Sequence, residues 1–197
     1  MIFTTKNGAT LHPVGLNYRG LLHALTNLQI DKIWALRLSK EKIFEKFLGY
    51  NPPEANRLSD FHTKICIPLE IPFYLLWVWL CTDFSIPLGS NPFESAEQYL
   101  RERLSEEDFL KVIRSEGPIN FRKALRARRN SLGLSLAQMA DKVGVKKDQI
   151  ASLERKKNGT SMPRCDTLNK VLPFYGLHPI ELYVLALKDE DPYKRPI

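Results

Sequence analysis

The chain has 197 residues, 44% of them apolar, with a formal charge of +7. That length allows one or two domains, and that apolar share supports packed cores and excludes a disordered polyelectrolyte. The charge is unevenly spread: residues 119–158 hold 11 Lys/Arg and 3 Asp/Glu, against 18 and 19 in the rest. Phosphate neutralisation explains such a concentration, and it directs attention to that stretch.

Three cysteines, Cys66, Cys81 and Cys165, stand far apart and in odd number. They make neither a metal-ligand spacing nor a disulfide framework, so no metal and no cofactor are expected and a reducing cytoplasm fits. The start, MIFTTKNGAT, has no apolar signal core. The longest apolar run, Ile71–Cys81, is too short to span a bilayer and predicts a buried helix, so no membrane partner is expected. No nucleophile–base pair or Gly-rich phosphate loop is present, which points away from an enzyme.

In chain order, residues 1–15 predict an irregular or strand-like start, broken by Gly8, Pro13 and Gly15. Leu16–Arg37 carries apolar residues at helical spacing, from Leu21 to Trp34. In Ile71–Cys81, Tyr74, Trp77 and Trp79 suit a core, with an interface role as the alternative. Ser85–Asn91 is a Pro/Gly/Ser loop and a candidate boundary. Ser95 with Gln98 makes a capping-box pattern opening a charged helix, Ala96–Arg103. Ser105 opens another, which points Phe109, Leu110, Val112 and Ile113 inward, and Gly117-Pro118 stops it. Ile119–Leu132 predicts an Arg-rich helix with Phe121, Leu125 and Leu132 inward.

Leu136–Arg155 reads as two short helices joined by a tight turn. Met139, Ala140 and Val143 share one helical face, and Ile150 and Leu153 repeat the spacing on the next helix. Ser135 is an N-cap candidate. Gly144 stands where the chain must turn with positive φ, and Ala140 is small where the second helix crosses closely. Together these form a helix-turn-helix, whose second helix can enter a major groove.

Residues 119–184 resemble the lambda-repressor-like, Cro/Xre-type helix-turn-helix domain. The resemblance rests on ALRARRNSLG, LSLAQMADKVGV, KKDQIASLER and NGTSMPRCDTLNKVLPFYGLHPIEL. Three departures stand out. Leu136 occupies a position that is often Gln, Pro173 interrupts the fourth helix near its end, and two lysines open the recognition helix.

The resemblance implies an all-α fold with a five-helix C-terminal domain, and a homodimer on double-stranded DNA carrying an inverted repeat. It places Lys146, Lys147, Asp148, Gln149 and Ser152 toward base edges, where Lys suits guanine, Gln adenine and Asp cytosine. Gln138, Arg126, Arg129, Arg155, Lys156, Lys157, Asn158 and Thr160 would flank them on phosphates. The family also pairs an Arg of the first helix with a Glu late in the recognition helix, here Arg128 or Arg129 with Glu154.

Leu38–Leu58 repeats part of the pattern of Leu134–Leu153: Ser39 matches Ser135, Gly49 matches Gly144, and Ala55 and Leu58 match Ile150 and Leu153. Residues 16–88 thus resemble a degenerate tandem copy, with an unrelated small helical domain as the alternative. Phe44 replaces the small crossing residue, and Asn51, Pro52, Pro53 and Glu54 stand where the lysines would be, so this copy lacks the charge that contacts phosphate and is expected to have lost, or never had, DNA reading.

The expected organisation is an N-terminal helical domain over 1–92 for dimerisation or a protein partner, linker helices over 93–117, the DNA-binding domain over 118–187 and a tail over 188–197. The expected function is a transcriptional regulator, as a repressor. The alternative is a protein-interaction adaptor, such as an antitoxin or inhibitor, acting through the N-terminal domain.

Overall fold

The computed structural model describes residues 3–4, 10–11, 21, 24–25, 58–81, 91–115, 119–155 and 163–188. Among the described residues the fold is all-α apart from one minimal antiparallel pairing near the start. There β1 (Phe3–Thr4) lies against β2 (Thr10–Leu11), with Phe3 opposite Leu11. Most of the stretch that carries the tandem-copy comparison, Leu38–Arg57, lies outside the described residues.

Helix α1 (Leu58–Phe61) continues through a π-helical stretch, His62–Cys66, into α2 (Ile67–Leu69). Glu70 ends it with φ +55, and the chain turns back through Ile71 N–H to Cys66 O, 2.9 Å. Helix α3 (Phe73–Cys81) follows, and all nine residues are buried. Its sequence, FYLLWVWLC, has no polar stripe to leave in water, so apolar packing on every side is its stable environment.

A buried indole N–H needs an acceptor. Trp77 Nε1 donates to Pro179 O at 3.1 Å and Trp79 Nε1 to Pro92 O at 3.3 Å. Both acceptors lie at the starts of later helices. Trp77 also stacks on Phe121 at 4.6 Å, and Phe73 stacks on Tyr183 at 6.3 Å. The apolar run read as a buried helix is therefore buried against the C-terminal part of the chain. One continuous core extends from Leu21 to Ala186.

Helix α4 (Pro92–Arg101) starts four residues earlier than Ser95–Gln98 suggested. The cap is Asn91, whose side chain accepts from Phe93 N at 3.0 Å. Pro92 follows at the first helical position, where its missing N–H costs nothing. Ser95 instead donates to Asn91 O within the first turn. Helix α5 (Glu106–Ile113) begins as the sequence indicates, with Ser105 Oγ accepting from Asp108 N at 3.2 Å.

Five helices follow among the described residues: α6 (Phe121–Ser131), α7 (Leu136–Val143), α8 (Lys147–Glu154), α9 (Cys165–Tyr175) and α10 (Pro179–Lys188). Phe121 and Leu125 face inward as expected, but Leu132, just past the end of α6, is 39% exposed. Pro173 does not interrupt α9, which continues to Tyr175 and ends on Gly176 at φ +60. Pro173 lacks the N–H that would bond back one turn, yet the helix runs through it, and the left-handed glycine fixes the stop. His178 then caps α10, its Nδ1 accepting from Ile180 N at 3.2 Å. Burial, with Arg103 nearby, lowers its pKa to about 4, so the imidazole is neutral as the cap requires.

Candidate nucleic-acid interface

The interface is built from α7, its turn and α8. A reciprocal capping box opens α7: Gln138 N donates to Ser135 Oγ at 3.2 Å, and Ser135 N donates to Gln138 Oε1 at 2.8 Å. Met139, Ala140 and Val143 are buried beneath it. Gly144 ends α7 at φ +71, ψ +43, and Val145 N–H closes the turn onto Ala140 O at 3.0 Å. A Cβ at Gly144 would meet nothing within 4 Å, so backbone conformation alone, not space, calls for glycine there.

Helix α8 buries Ile150, Leu153 and Glu154. Lys146, Lys147, Asp148, Gln149 and Ser152 are all exposed. The five residues expected to face bases thus lie on the open side of one helix. Gln149 also has a local task, as its Oε1 accepts from Lys146 N at 3.0 Å in the first turn. That bond uses one of the two acceptor sites of Oε1, and the Nε2 amide group takes no part in it.

A buried cluster fixes which face of α8 is open. Glu154, 5% exposed, accepts from Arg129 Nε at 2.9 and 3.0 Å and from Arg129 Nη2 at 2.8 Å. Tyr175 Oη donates to the same carboxylate at 2.6 Å, and Arg129 Nη1 donates to Leu134 O at 2.6 Å. One carboxylate therefore joins α6, α8 and α9, and Arg129 ties the turn before α7 to it. The bond to Glu154 holds the Arg129 guanidinium charged. Burial, then the hydrogen bond to Glu154, pushes the Tyr175 phenol well above its ordinary range.

This corrects one assignment. Arg129 does not reach phosphate: it is 7% exposed and its guanidinium is occupied by Glu154 and Leu134. Of the two partners considered for Glu154, the structure selects Arg129. Arg128 turns to the end of α9, donating from Nε to Tyr175 O at 3.0 Å and from Nη2 to Gly176 O at 3.4 Å. Arg122 Nη1 does the same for α8, donating to Ser152 O at 2.5 Å and Leu153 O at 3.2 Å.

Both arginines meet carbonyls that a helix C-terminus leaves unpaired, where cations are also favoured by the helix dipole. Sequence reasoning missed these two roles, and it missed Tyr175 as a partner of Glu154. The available signals were the regular placement of Arg on α6 and a tyrosine directly before the Gly176 stop.

Arg126 and Arg155 are exposed, as is Gln138, whose amine remains available to donate. Lys156, Lys157, Asn158 and Thr160 lie outside the described residues. Among the described residues, no group of three or more His, Cys, Asp or Glu could hold a metal, and no helix is long and apolar enough to cross a membrane.

Comparison with the curated proteins and with the solved structures returned no match. A helix-turn-helix family model matches residues 125–180, from the middle of α6 to the first turn of α10. That span includes α7, its glycine turn, α8 and the whole Arg129–Glu154–Tyr175 cluster. Residues 125–180 of this chain are a Cro/Xre-type helix-turn-helix, a DNA-binding regulatory domain.

Proposed function

We propose that the protein is a sequence-specific transcriptional repressor that inserts α8 into the major groove as a homodimer on an inverted repeat. The observation that carries this reading is the exposed row Lys146, Lys147, Asp148, Gln149 and Ser152, presented by a helix whose other face is fixed through Glu154. Lys146 and Lys147 can donate to guanine O6 and N7, Asp148 can accept from cytosine N4, and Gln149 can read adenine. Arg126, Arg155 and Gln138 suit the flanking phosphates, which set register without carrying sequence information. Two copies are invoked because one such domain buries a modest interface, and paired half-sites raise affinity. A cytoplasmic, nucleoid-associated protein is the corresponding setting.

The test is selection of bound sites from a random duplex pool with the full chain at physiological salt. The expected result is an enriched inverted repeat whose half-site spacing reports the dimer geometry. Lys147→Ala with Gln149→Ala should erase that preference and leave the fold intact, with stability lowered only by the roughly 1 kcal/mol of the exposed bond from Lys146 N to Gln149 Oε1. Each good base contact contributes roughly 1–3 kcal/mol of discrimination. If the double variant keeps the site preference, the residue assignment is wrong. Binding without an enriched sequence, vanishing as salt rises, would instead favour a protein-interaction role through residues 1–92.

A further inference from the structure

We propose that the cavity between the α4–α5 turn and α10 binds a small carboxylate with an apolar body, its headgroup held by Arg103 and Arg128. The cavity measures about 340 Å³, within the range of small-molecule sites. Its two sides differ in chemistry. Leu104, Leu177, Ile180, Val184 and Leu185 supply an apolar wall, while Arg103, Arg128 and Lys188 bring three cations.

Two acidic side chains also line it, and each already has a partner. Asp108 pairs with Lys188 at 3.2 Å, and Glu181 accepts from His178 N at 2.7 Å. With His178 neutral and Arg103 already paired with Glu102 at 3.2 Å, the charge at the cavity without an acidic partner among the described residues is that of Arg128, and Arg103 contributes its unused N–H edge. Arg128 is anchored to the carbonyls of Tyr175 and Gly176. These bonds use two of its five N–H groups and hold the guanidinium at the cavity wall.

Arg103 carries the argument further. Its Nη1 donates to Tyr99 O at 3.1 Å and to Glu102 Oε2 at 3.2 Å, and the guanidinium lies 3.6 Å over the Tyr99 ring. Its Nε is buried without a hydrogen bond among the described residues. A buried polar atom left in that way needs an explanation. In a guanidinium, Nε–H and one Nη2–H point in parallel and fit the two oxygens of a carboxylate. Arg129 uses that same edge for Glu154 in this molecule. On Arg103 the edge belongs to a residue lining a cavity with an apolar wall opposite. A carboxylate with an apolar body satisfies both surfaces at once.

The position suggests a consequence that rests on the DNA-binding reading. Arg128 and Gly176 join α6 to the end of α9 inside the helix-turn-helix, so occupancy would change DNA affinity.

Titration calorimetry of the full chain with hexanoate and with 4-phenylbutyrate tests the site directly, with 1-hexanol and inorganic phosphate as controls. Saturable binding of the carboxylates, at least tenfold tighter than either control, is expected. Arg103→Gln should weaken it tenfold or more. Leu185→Trp, which fills the cavity and leaves both arginines in place, should do the same and serves if Arg103→Gln does not fold. No saturable binding at millimolar carboxylate, equal binding of 1-hexanol, or binding indifferent to Leu185→Trp overturns the site. DNA affinity is then measured with and without the bound carboxylate. Binding that leaves DNA affinity unchanged overturns the regulatory consequence alone.

Discussion

Two neighbouring helices in this molecule, α6 and α8, use their basic side chains in opposite ways. On α6, Arg122, Arg128 and Arg129 turn toward protein: two meet helix-end carbonyls and the third meets a buried carboxylate. On α8 and its cap, Lys146 and Lys147 stay in water. The difference follows from side-chain chemistry. A guanidinium offers five donors in a fixed plane and is weakly hydrated, so it suits several oxygens at once in a partly dry place. An ammonium is compact and strongly hydrated, and it suits a surface that meets phosphate or a base edge. The positive charge concentrated in residues 119–158 is therefore not all interface. Part of it holds the domain together and aims the rest.

The largest test of that division is Arg129→Ala. It would leave Glu154 buried with Tyr175 and no cation, and breaking one side of a buried pair costs about 3–5 kcal/mol. The thermal midpoint should fall on the order of 10 °C, and DNA affinity should fall with the fold. Full stability in Arg129→Ala, with weakened DNA binding and a smaller dependence on salt, would return Arg129 to the phosphates and undo the contrast.

A smaller effect is expected at the turn that sets the angle between α7 and α8. Gly144→Ala introduces no clash, because a Cβ there meets nothing within 4 Å. It does place an L-residue at φ +71, which costs about 1–2 kcal/mol. Denaturant unfolding should show a lower midpoint at unchanged slope. An unchanged midpoint would mean that the turn tolerates a side chain, and that Gly144 has some other task.

The same two helices show what the sequence reveals and what it hides. The N-cap at Ser135, the turn at Gly144 and the buried face of α7 were legible because each depends on residues within one or two turns of chain. The partner of Glu154 was legible to within one residue. Choosing between Arg128 and Arg129 needs the rotation of α6, which long-range packing decides. The roles of Arg122 and Arg128 were hidden because their acceptors are backbone carbonyls 30 or more residues away, and a carbonyl has no letter in the sequence. Asn91 was missed beside the stronger-looking Ser95 pattern, although Pro92 following it was the better sign of a helix start. The buried nature of α3 was plain from FYLLWVWLC. That it meets Pro179, Phe121 and Tyr183 was not, since an all-apolar helix carries no mark of its neighbours.

The finest test compares two arginines four residues apart on α6. Arg126 is exposed, and Arg122 is partly buried with its Nη1 on the carbonyls of Ser152 and Leu153. Burial lowers the pKa of Arg122, yet an arginine stays charged at neutral pH, so the cation serves α8 throughout the physiological range. Arg122→Gln should cost about 1 kcal/mol in stability, the value of a partly solvated hydrogen bond to a helix end. It should leave the slope of log affinity against log salt unchanged, because no phosphate contact is lost. Arg126→Gln should do the reverse, with stability unchanged within about 0.5 kcal/mol and a salt slope reduced by about 1. Measuring both variants for unfolding and for salt-dependent DNA binding separates a cation that positions the recognition helix from one that meets the duplex. If both lower the salt slope equally, the boundary between the inward and the outward charge lies closer to the core than α6 now places it.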